Sequence, residues 1–322
     1  MTISWNDNCK IVFSDVDDTI AKGYTDASKD MISALEDLLR DGIILYLISG
    51  ASIESIQDRI INFIDPLLRK RILVAHCSGA EVFGYNDEGA RHEKPYYSLY
   101  DEKLSPSEKV TFREIIQQLL AEFKLKTYPT MGSKTAFREM TNLDPYAIMY
   151  ADRGPQITFQ LTNAYDLSAE QARVMQVPLT HGQYDLRYKI MERAQFLFSR
   201  SDIPVHAQTG GTTALDFVIK GVSKESAIHW FFANAALLQR LGLDAEDLRA
   251  HPEHMEIWGD KFSTIRGGTD RHICAGLPPE VRAIDFRQEN KEELPEGYTI
   301  QLWNGKKELY EGLLEYLQSR KK

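Results

Sequence analysis

Ile11-Val12-Phe13-Ser14-Asp15-Val16-Asp17-Asp18-Thr19-Ile20 sets an acidic knot directly behind a short apolar run. An apolar run that ends in two carboxylates two residues apart reads as a buried strand delivering both groups to its carboxyl end. Open α/β sheets bind their ligands at that edge. Side chains on a strand alternate with period two, so Asp15 and Asp17 project in similar directions. Two adjacent carboxylates repel each other unless a cation lies between them. Mg2+, hard and oxygen-seeking, answers that need. A carboxylate so placed can also act as a nucleophile on phosphorus. The plain alternative is an acidic turn capping a helix, and three further stretches decide between the two.

Outward from this strand, Lys10–Val16, strands and helices alternate. A helix over 27–40 carries Ile32, Leu35, Leu38 and Leu39 on one face. Asp41-Gly42 ends it, and Ile43–Ile48 is a second buried strand. A helix over 53–63 presents Ile53, Ile56, Ile60 and Ile61, and a third strand, Arg71–His76, stops at Ser78-Gly79. This alternation implies crossovers and a parallel sheet. From Tyr85 to Lys103 the chain turns polar. Ser105-Pro106-Ser107-Glu108 is a capping box with proline at the first helical position. Downstream come a strand at Gln156–Leu161, a capped helix near Asp166 and a helix over Asp185–Ser199. Strands Val205–Gln208 and Ala214–Ile219 flank a Gly210-Gly211-Thr212-Thr213 turn. After Gly221 the alternation returns. One helix is expected over Lys224–Leu241, then a strand at Met255–Trp258. Edge strands follow at Val281–Phe286 and Tyr298–Trp303, and a closing helix over Lys306–Ser319. The expected architecture is α/β: a discontinuous core of residues 1–88 and 209–322, with an α+β unit, 89–208, inserted.

The 322 residues are 43% hydrophobic and 26% charged, ordinary for a globular protein. A net charge of −9 argues against nucleic acid, whose binders carry a basic face. It leaves room for an anionic small molecule, because one bound metal reverses the field inside a cleft. Cys9, Cys77 and Cys274 show no metal-binding spacing and fit a reducing compartment. No leader and no membrane-length apolar run is visible, so the expected location is the cytoplasm, without membrane attachment.

The second chemical stretch is Leu47-Ile48-Ser49-Gly50, a strand ending in a hydroxyl and a glycine ahead of a helix, where a phosphate meets free backbone N–H groups. The third is Lys220-Gly221-Val222-Ser223-Lys224-Glu225. A lysine at a helix start opposes the macrodipole, and a nearby anion would remove that conflict. The fourth is Trp258-Gly259-Asp260-Lys261, followed by Gly267-Gly268-Thr269-Asp270, where a strand ends in one carboxylate and a glycine-rich loop returns another.

Taken in order, these four stretches resemble the haloacid dehalogenase superfamily of phosphotransferases. They look closest to its Cof-type (IIB) branch of sugar phosphatases and phosphomannomutases, in which a cap is inserted between the second and third motifs. The resemblance implies a Rossmann-like core and a specificity-setting cap. It implies Asp15 as the nucleophile and a Mg2+ ligand, and Asp17 as the general acid/base, with its backbone carbonyl on the metal. Thr19, Ser49 and Gly50 would position the phosphoryl group, Lys224 would neutralise charge, Asp260 would ligate Mg2+, and Asp270 would order Lys224 or a metal-bound water. Three departures stand out. Asp18 replaces a common glycine, the loop from Asp260 to Asp270 is longer than the mutase pattern, and Cys77-Ser78-Gly79-Ala80 stands where relatives carry Asn-Gly-Ala.

Arg138, Arg153, Arg187 and Lys189 of the inserted unit could face an anionic substrate. Gln160-Leu161-Thr162-Asn163-Ala164 lacks the arginine of the mutase cap signature. The expectation is therefore a Mg2+-dependent phosphatase acting, through an aspartyl-phosphate, on a small phosphomonoester such as a sugar phosphate. A phosphosugar mutase and a non-catalytic phosphate-binding regulator are the alternatives.

Overall fold

The computed structural model describes residues 3–210, 213–264, 268–288 and 294–321. Gly211 and Thr212 of the expected turn, and Gly267 of the fourth stretch, lie outside them. Strands β1 (Ile11–Ser14), β2 (Ile44–Ile48), β3 (Ile72–His76), β4 (Glu81–Phe83) and β5 (Tyr97–Ser98) come first. Next follow β6 (Lys126–Tyr128), β7 (Ala147–Asp152), β8 (Gln156–Gln160), β9 (Leu179–Thr180), β10 (Gln183–Tyr184), β11 (Val205–Gly210) and β12 (Ala214–Ile219). Last are β13 (Met255–Gly259), β14 (Arg282–Asp285) and β15 (Ile300–Leu302).

The chain divides into two compact units, residues 1–98 with 222–322, and residues 99–221. The expected boundaries at 88/89 and 208/209 need correcting. β5 pairs with β4, which keeps it in the first unit, and β12 pairs with both β11 and β8, which keeps it in the second.

The first unit is an eight-stranded sheet in the order β15-β14-β13-β1-β2-β3-β4-β5. From β15 to β3 the pairs are parallel, and β4 and β5 add an antiparallel margin. The central strands are apolar and fully buried, as strands covered on both faces must be. Between β1 and β2 runs the helix Lys29–Arg40. Ser28 caps its start, accepting from the Met31 N–H at 3.2 Å, and Met31, Ile32, Leu35, Leu38 and Leu39 are buried. From β1 the chain goes to β2 on one side, and it returns much later through β13 on the other. That reversal opens a crevice at the carboxyl end of β1, where ligands bind in open α/β sheets.

Two other expectations fail locally. The helix over Lys224–Leu241 is two helices, Lys224–Ala233 and Ala235–Arg240. Asn234 breaks it with non-helical φ/ψ of −98° and 79°, and its side chain caps the second piece by accepting from the Leu237 N–H. β14 is not an edge strand, because it lies between β13 and β15.

The second unit is a five-stranded, mostly antiparallel sheet, β11-β12-β8-β7-β6, with a small β9–β10 hairpin. The helices Pro106–Glu122 and Leu186–Arg200 share a core of Phe112, Phe198, Phe159 and Phe217. Such aromatic pairs contribute about 0.5–1.5 kcal/mol each beyond the area they bury. The helix expected near Asp166 starts later, at Ala169, because Ser168 and Gln171 form the capping box.

Candidate active site

Asp15 is the residue that follows β1. Its N–H donates to the Trp258 carbonyl at 3.0 Å, which carries the ladder one residue past the strand. The residue is 7% exposed. Lys224 opens the helix Lys224–Ala233, which is capped by Ser223 and Ser226. Gly79 lets that helix approach closely: at φ +98°, a Cβ there would meet the Ser223 carbonyl at 2.5 Å. The buried Lys224 ammonium donates to Asp15 Oδ1 at 2.6 Å and to Asp270 Oδ1 at 2.7 Å. The conflict between a lysine and a helix start is thus resolved by two carboxylates.

Asp270 also closes the loop that follows β13. Its Oδ2 accepts from the backbone N–H groups of Asp260 at 3.0 Å and Lys261 at 2.9 Å. Despite the longer loop, Asp270 reaches the cluster. The approach needs Gly259, where a Cβ would lie 2.6 Å from Asp270 Oδ2 and 2.8 Å from the Phe262 ring. Oxygens of Asp15, Asp260 and Asp270 all lie within 4.8 Å of one another.

Charge is unbalanced here. Burial pushes the Asp15 carboxyl up to about 7; Lys224 opposes that rise, and Asp270 and Asp260 add to it. Burial and then Asp270 lift Asp260 to about 6, against Lys261 and Arg287. For Asp270 burial works upward too, but Lys224 and the two amides hold its carboxyl below the usual range. Burial disfavours the Lys224 charge, yet Asp15 and Asp270 outweigh it and hold Lys224 above its ordinary value. An ammonium bonded to two carboxylates stays protonated, so the excess negative charge falls on Asp15 and Asp260.

The carboxylate Glu256, within β13, shows what a purely structural acid looks like. Its Oε1 accepts from Trp258 Nε1 at 2.6 Å and Tyr316 OH at 2.8 Å, while Oε2 meets Arg282. Asp260 differs. Its Oδ2 takes Arg287 Nη2 at 2.6 Å, but Oδ1 is buried with no hydrogen-bond partner among the described residues. A buried carboxylate oxygen without a donor, beside the Asp15 carboxylate, suits a hard divalent cation, whereas both Asp270 oxygens are engaged by Lys224 and the loop amides.

Asp17 stands at the same edge and pairs with Arg59. Arg59 Nη2 lies 2.9 Å from Asp17 Oδ1 in an ion pair not aligned as a hydrogen bond, so this oxygen has a charge partner but no donor among the described residues. Arg59 is buried; its Nε donates to the Thr25 carbonyl at 2.7 Å and Nη2 to that of Lys22 at 3.1 Å. Thr19 is fully buried, and its Oγ1 has no hydrogen-bond partner among the described residues. Ser49, 1% exposed, accepts from the Ala51 N–H at 3.0 Å, while Gly50 is exposed. The next helix, Ile53–Arg59, is capped by Ser52 rather than Ser49. Asp18 adopts φ 65° and accepts from the Gly23 N–H at 3.1 Å. Left-handed backbone explains the glycine usual there, and aspartate tolerates it through that local bond.

Three groups escaped the sequence reading: Arg59, Arg287 and Asp285. Arg59 continues the buried face of Ile53 and Ile56, and a charge on an apolar face is a signal in itself. Asp285 ends β14 as Asp15 follows β1. It is 3% exposed, accepts from the Arg287 N–H at 2.9 Å, and burial pushes it up to about 7. In the second unit two expected cations are engaged internally. Arg187 pairs with Asp185 at 2.6 Å, and Lys189 donates to the Met175 carbonyl at 3.0 Å.

No family profile and no curated protein sequence matches the chain. Solved structures do. A haloacid dehalogenase-like hydrolase from Bacteroides thetaiotaomicron aligns over 96% of this chain and 98% of its own, at 14% identity and a TM-score of 0.53. A trehalose-6-phosphate phosphatase related protein aligns over 96% and 95%, at 14% identity and a TM-score of 0.50. A protein from Eubacterium rectale aligns over 97% and 99%, at 17% identity and a TM-score of 0.50. Identities this low mark a shared fold.

Proposed function

We propose that this chain, which has the fold of the haloacid dehalogenase-like hydrolases, is a Mg2+-dependent phosphatase of small phosphomonoesters. The observation that carries this reading is the buried Asp15–Lys224–Asp270 chain, with the orphaned Asp260 oxygen beside it, at the switch point of the sheet. Asp15, Asp260 and the Asp17 backbone carbonyl would hold the ion, which would supply positive charge against a phosphoryl dianion.

In the proposed reaction an Asp15 oxygen attacks phosphorus while the bond from phosphorus to the ester oxygen breaks. Asp17 gives its proton to that leaving oxygen, a step that contributes about 10²–10⁴-fold. The product on the enzyme is an aspartyl-phosphate. Asp17 then takes a proton from water, the water oxygen attacks phosphorus, and inorganic phosphate leaves with the Asp15 carboxylate restored. Lys224 offsets the repulsion between the incoming anion and Asp15. Thr19 and Ser49 orient phosphoryl oxygens.

The second unit is assigned substrate selection. Away from its helices, the sheet carries Gln156, Thr158 and Asp216. Thr158 Oγ1 donates to Asp216 Oδ1 at 2.6 Å, and Gln156 Oε1 is buried without a partner among the described residues. Such a row of hydrogen-bonding groups suits a hydroxyl-rich compound, which supports a sugar phosphate. Phosphate transfer within a sugar would need cations in this unit, and Arg187, Lys189 and Arg153 have partners there already. Hydrolysis is therefore preferred over a mutase. The test is release of inorganic phosphate from a panel of sugar phosphates, with Mg2+ and with chelator. Mg2+-dependent release that is lost in Asp15→Asn is expected, and no release from any monoester would contradict the reading.

A further inference from the structure

A second cluster of ligand-type side chains lies at the opposite end of β13 from Asp260. His251-Pro252-Glu253-His254 enters the strand through one 3₁₀ turn, Pro252–His254. One donor atom each from His251, Glu253 and His254 lies within 4.8 Å of the others. In a 3₁₀ turn residues three apart stand over one another, and the two imidazole rings accordingly have centroids 5.0 Å apart at an interplanar angle of 33°. The backbone fixes the arrangement. The His251 N–H donates to the Asp247 carbonyl at 2.9 Å, the His254 N–H to that of His251 at 2.9 Å, and the Lys10 N–H to that of His254 at 2.8 Å.

Each imidazole also has a carboxylate. Asp247 Oδ2 lies 3.0 Å from His254 Nδ1, and Glu253 Oε1 lies 3.2 Å from His251 Nδ1. Asp247 is shared with Lys10 Nζ at 2.8 Å, which offsets its charge. We propose that this turn binds a divalent transition ion of the zinc class, separately from the aspartate cluster. Two imidazole nitrogens with a carboxylate favour Zn2+, Ni2+ or Cu2+, whereas Mg2+ prefers oxygen alone. Asp247 on His254 Nδ1 fixes that ring and its tautomer, leaving its Nε2 lone pair for a metal, while Glu253 would exchange its contact with His251 for a bond to the ion.

Contraction onto one ion is within reach. The bonds would be about 2.0–2.2 Å, and His251 and Glu253 are about half exposed, so they are free to move inward. The five residues of β13 separate this turn from the loop of Asp260, roughly 17 Å at the rise of a strand. One ion therefore cannot bridge both places. A zinc-class ion here ties the helix Ala245–Ala250, which carries Asp247, to the entry of β13. The expected consequence is added stability of the sheet rather than a step in catalysis.

The test is calorimetric titration of the full chain with Zn2+ at saturating Mg2+, alongside Co2+ titration followed by visible absorption. Thermal unfolding is measured in parallel. Asp15→Asn with Asp260→Asn should keep one zinc and its zinc-dependent rise in unfolding temperature. His251→Ala with His254→Ala should weaken zinc at least about 10-fold and abolish that rise. His254→Asn, which keeps a donor toward Asp247, should lose zinc while unfolding normally without it. Equal zinc affinity in the histidine variants and the parent would overturn the proposal. So would zinc binding that disappears only with the aspartates.

Discussion

Arg59 shows how a residue outside every motif can control one inside. Its guanidinium joins Asp17 to the carbonyls of Lys22 and Thr25, so the proposed acid/base is held by the same group that shapes the loop after β1. Arg59→Ala should lower kcat by about 10²-fold, the lower end of what a positioned proton donor contributes, with a much smaller change in KM. Arg59→Lys keeps the charge and loses the fork, and should recover part of kcat. Steady-state kinetics with thermal unfolding of both variants checks this. A KM effect alone would show that Arg59 only shapes the loop. Protonation at the cluster gives a second expectation. The metal-free carboxyls of Asp15 and Asp260 are raised to about 7 and about 6. A carboxyl raised by folding contributes stability below its unfolded pKa, near 3.8, and that contribution is lost as pH rises through the folded value. Metal-free protein should therefore lose this contribution between about pH 4 and pH 7. Mg2+ competes with those protons and should raise the unfolding temperature more at high pH than at low. Thermal scans across pH, with Mg2+ and with chelator, measure both slopes.

At the scale of elements, the loop from Asp260 to Asp270 works because β13 ends in a glycine. Gly259→Ala would drive a Cβ into Asp270 Oδ2 and the Phe262 ring. The displaced Asp270 would release both the loop amides and Lys224. Overpacking of this kind costs about 1–3 kcal/mol, read as a lower denaturation midpoint, and activity should fall further than stability. An unchanged midpoint and unchanged turnover would mean the loop tolerates the methyl group. Much of this framework is legible in the sequence. The apolar runs of β1, β2, β3 and β13 stand out because both faces are buried, and Asp15, Lys224, Asp260 and Asp270 mark the places where strands end or helices begin. The rest is hidden for physical reasons. Arg59 and Arg287 act through contacts far along the chain. The break at Asn234 is a local side-chain bond that competes with an otherwise helical pattern. β7 alternates too weakly to be read as a strand, because Ala147, Ile148 and Met149 are all buried.

On the scale of the whole molecule, the two units have cores of different kinds. The core of residues 99–221 is built from its own helices and sheet around Phe112, Phe159, Phe198 and Phe217. Expressed alone, this segment should fold cooperatively, with dispersed amide resonances. Residues 1–98 alone should not, because β13, β14 and β15 complete one side of the sheet and Trp258, Ile284 and Tyr316 complete its core. Dispersed spectra from the isolated 1–98 segment would refute that division. The discontinuous first unit is also what gathers the site. Asp15 comes from one end of the chain, and Lys224, Asp260 and Asp270 from the other. The central claim is that Asp15 attacks phosphorus. Its most direct test is borohydride reduction during turnover of an aryl phosphate, followed by peptide mass spectrometry, since an aspartyl-phosphate is reduced to homoserine. Homoserine at position 15 in the presence of Mg2+, and absent with chelator, is the expected result. Phosphate release with an unmodified Asp15, or homoserine at another aspartate, would contradict it.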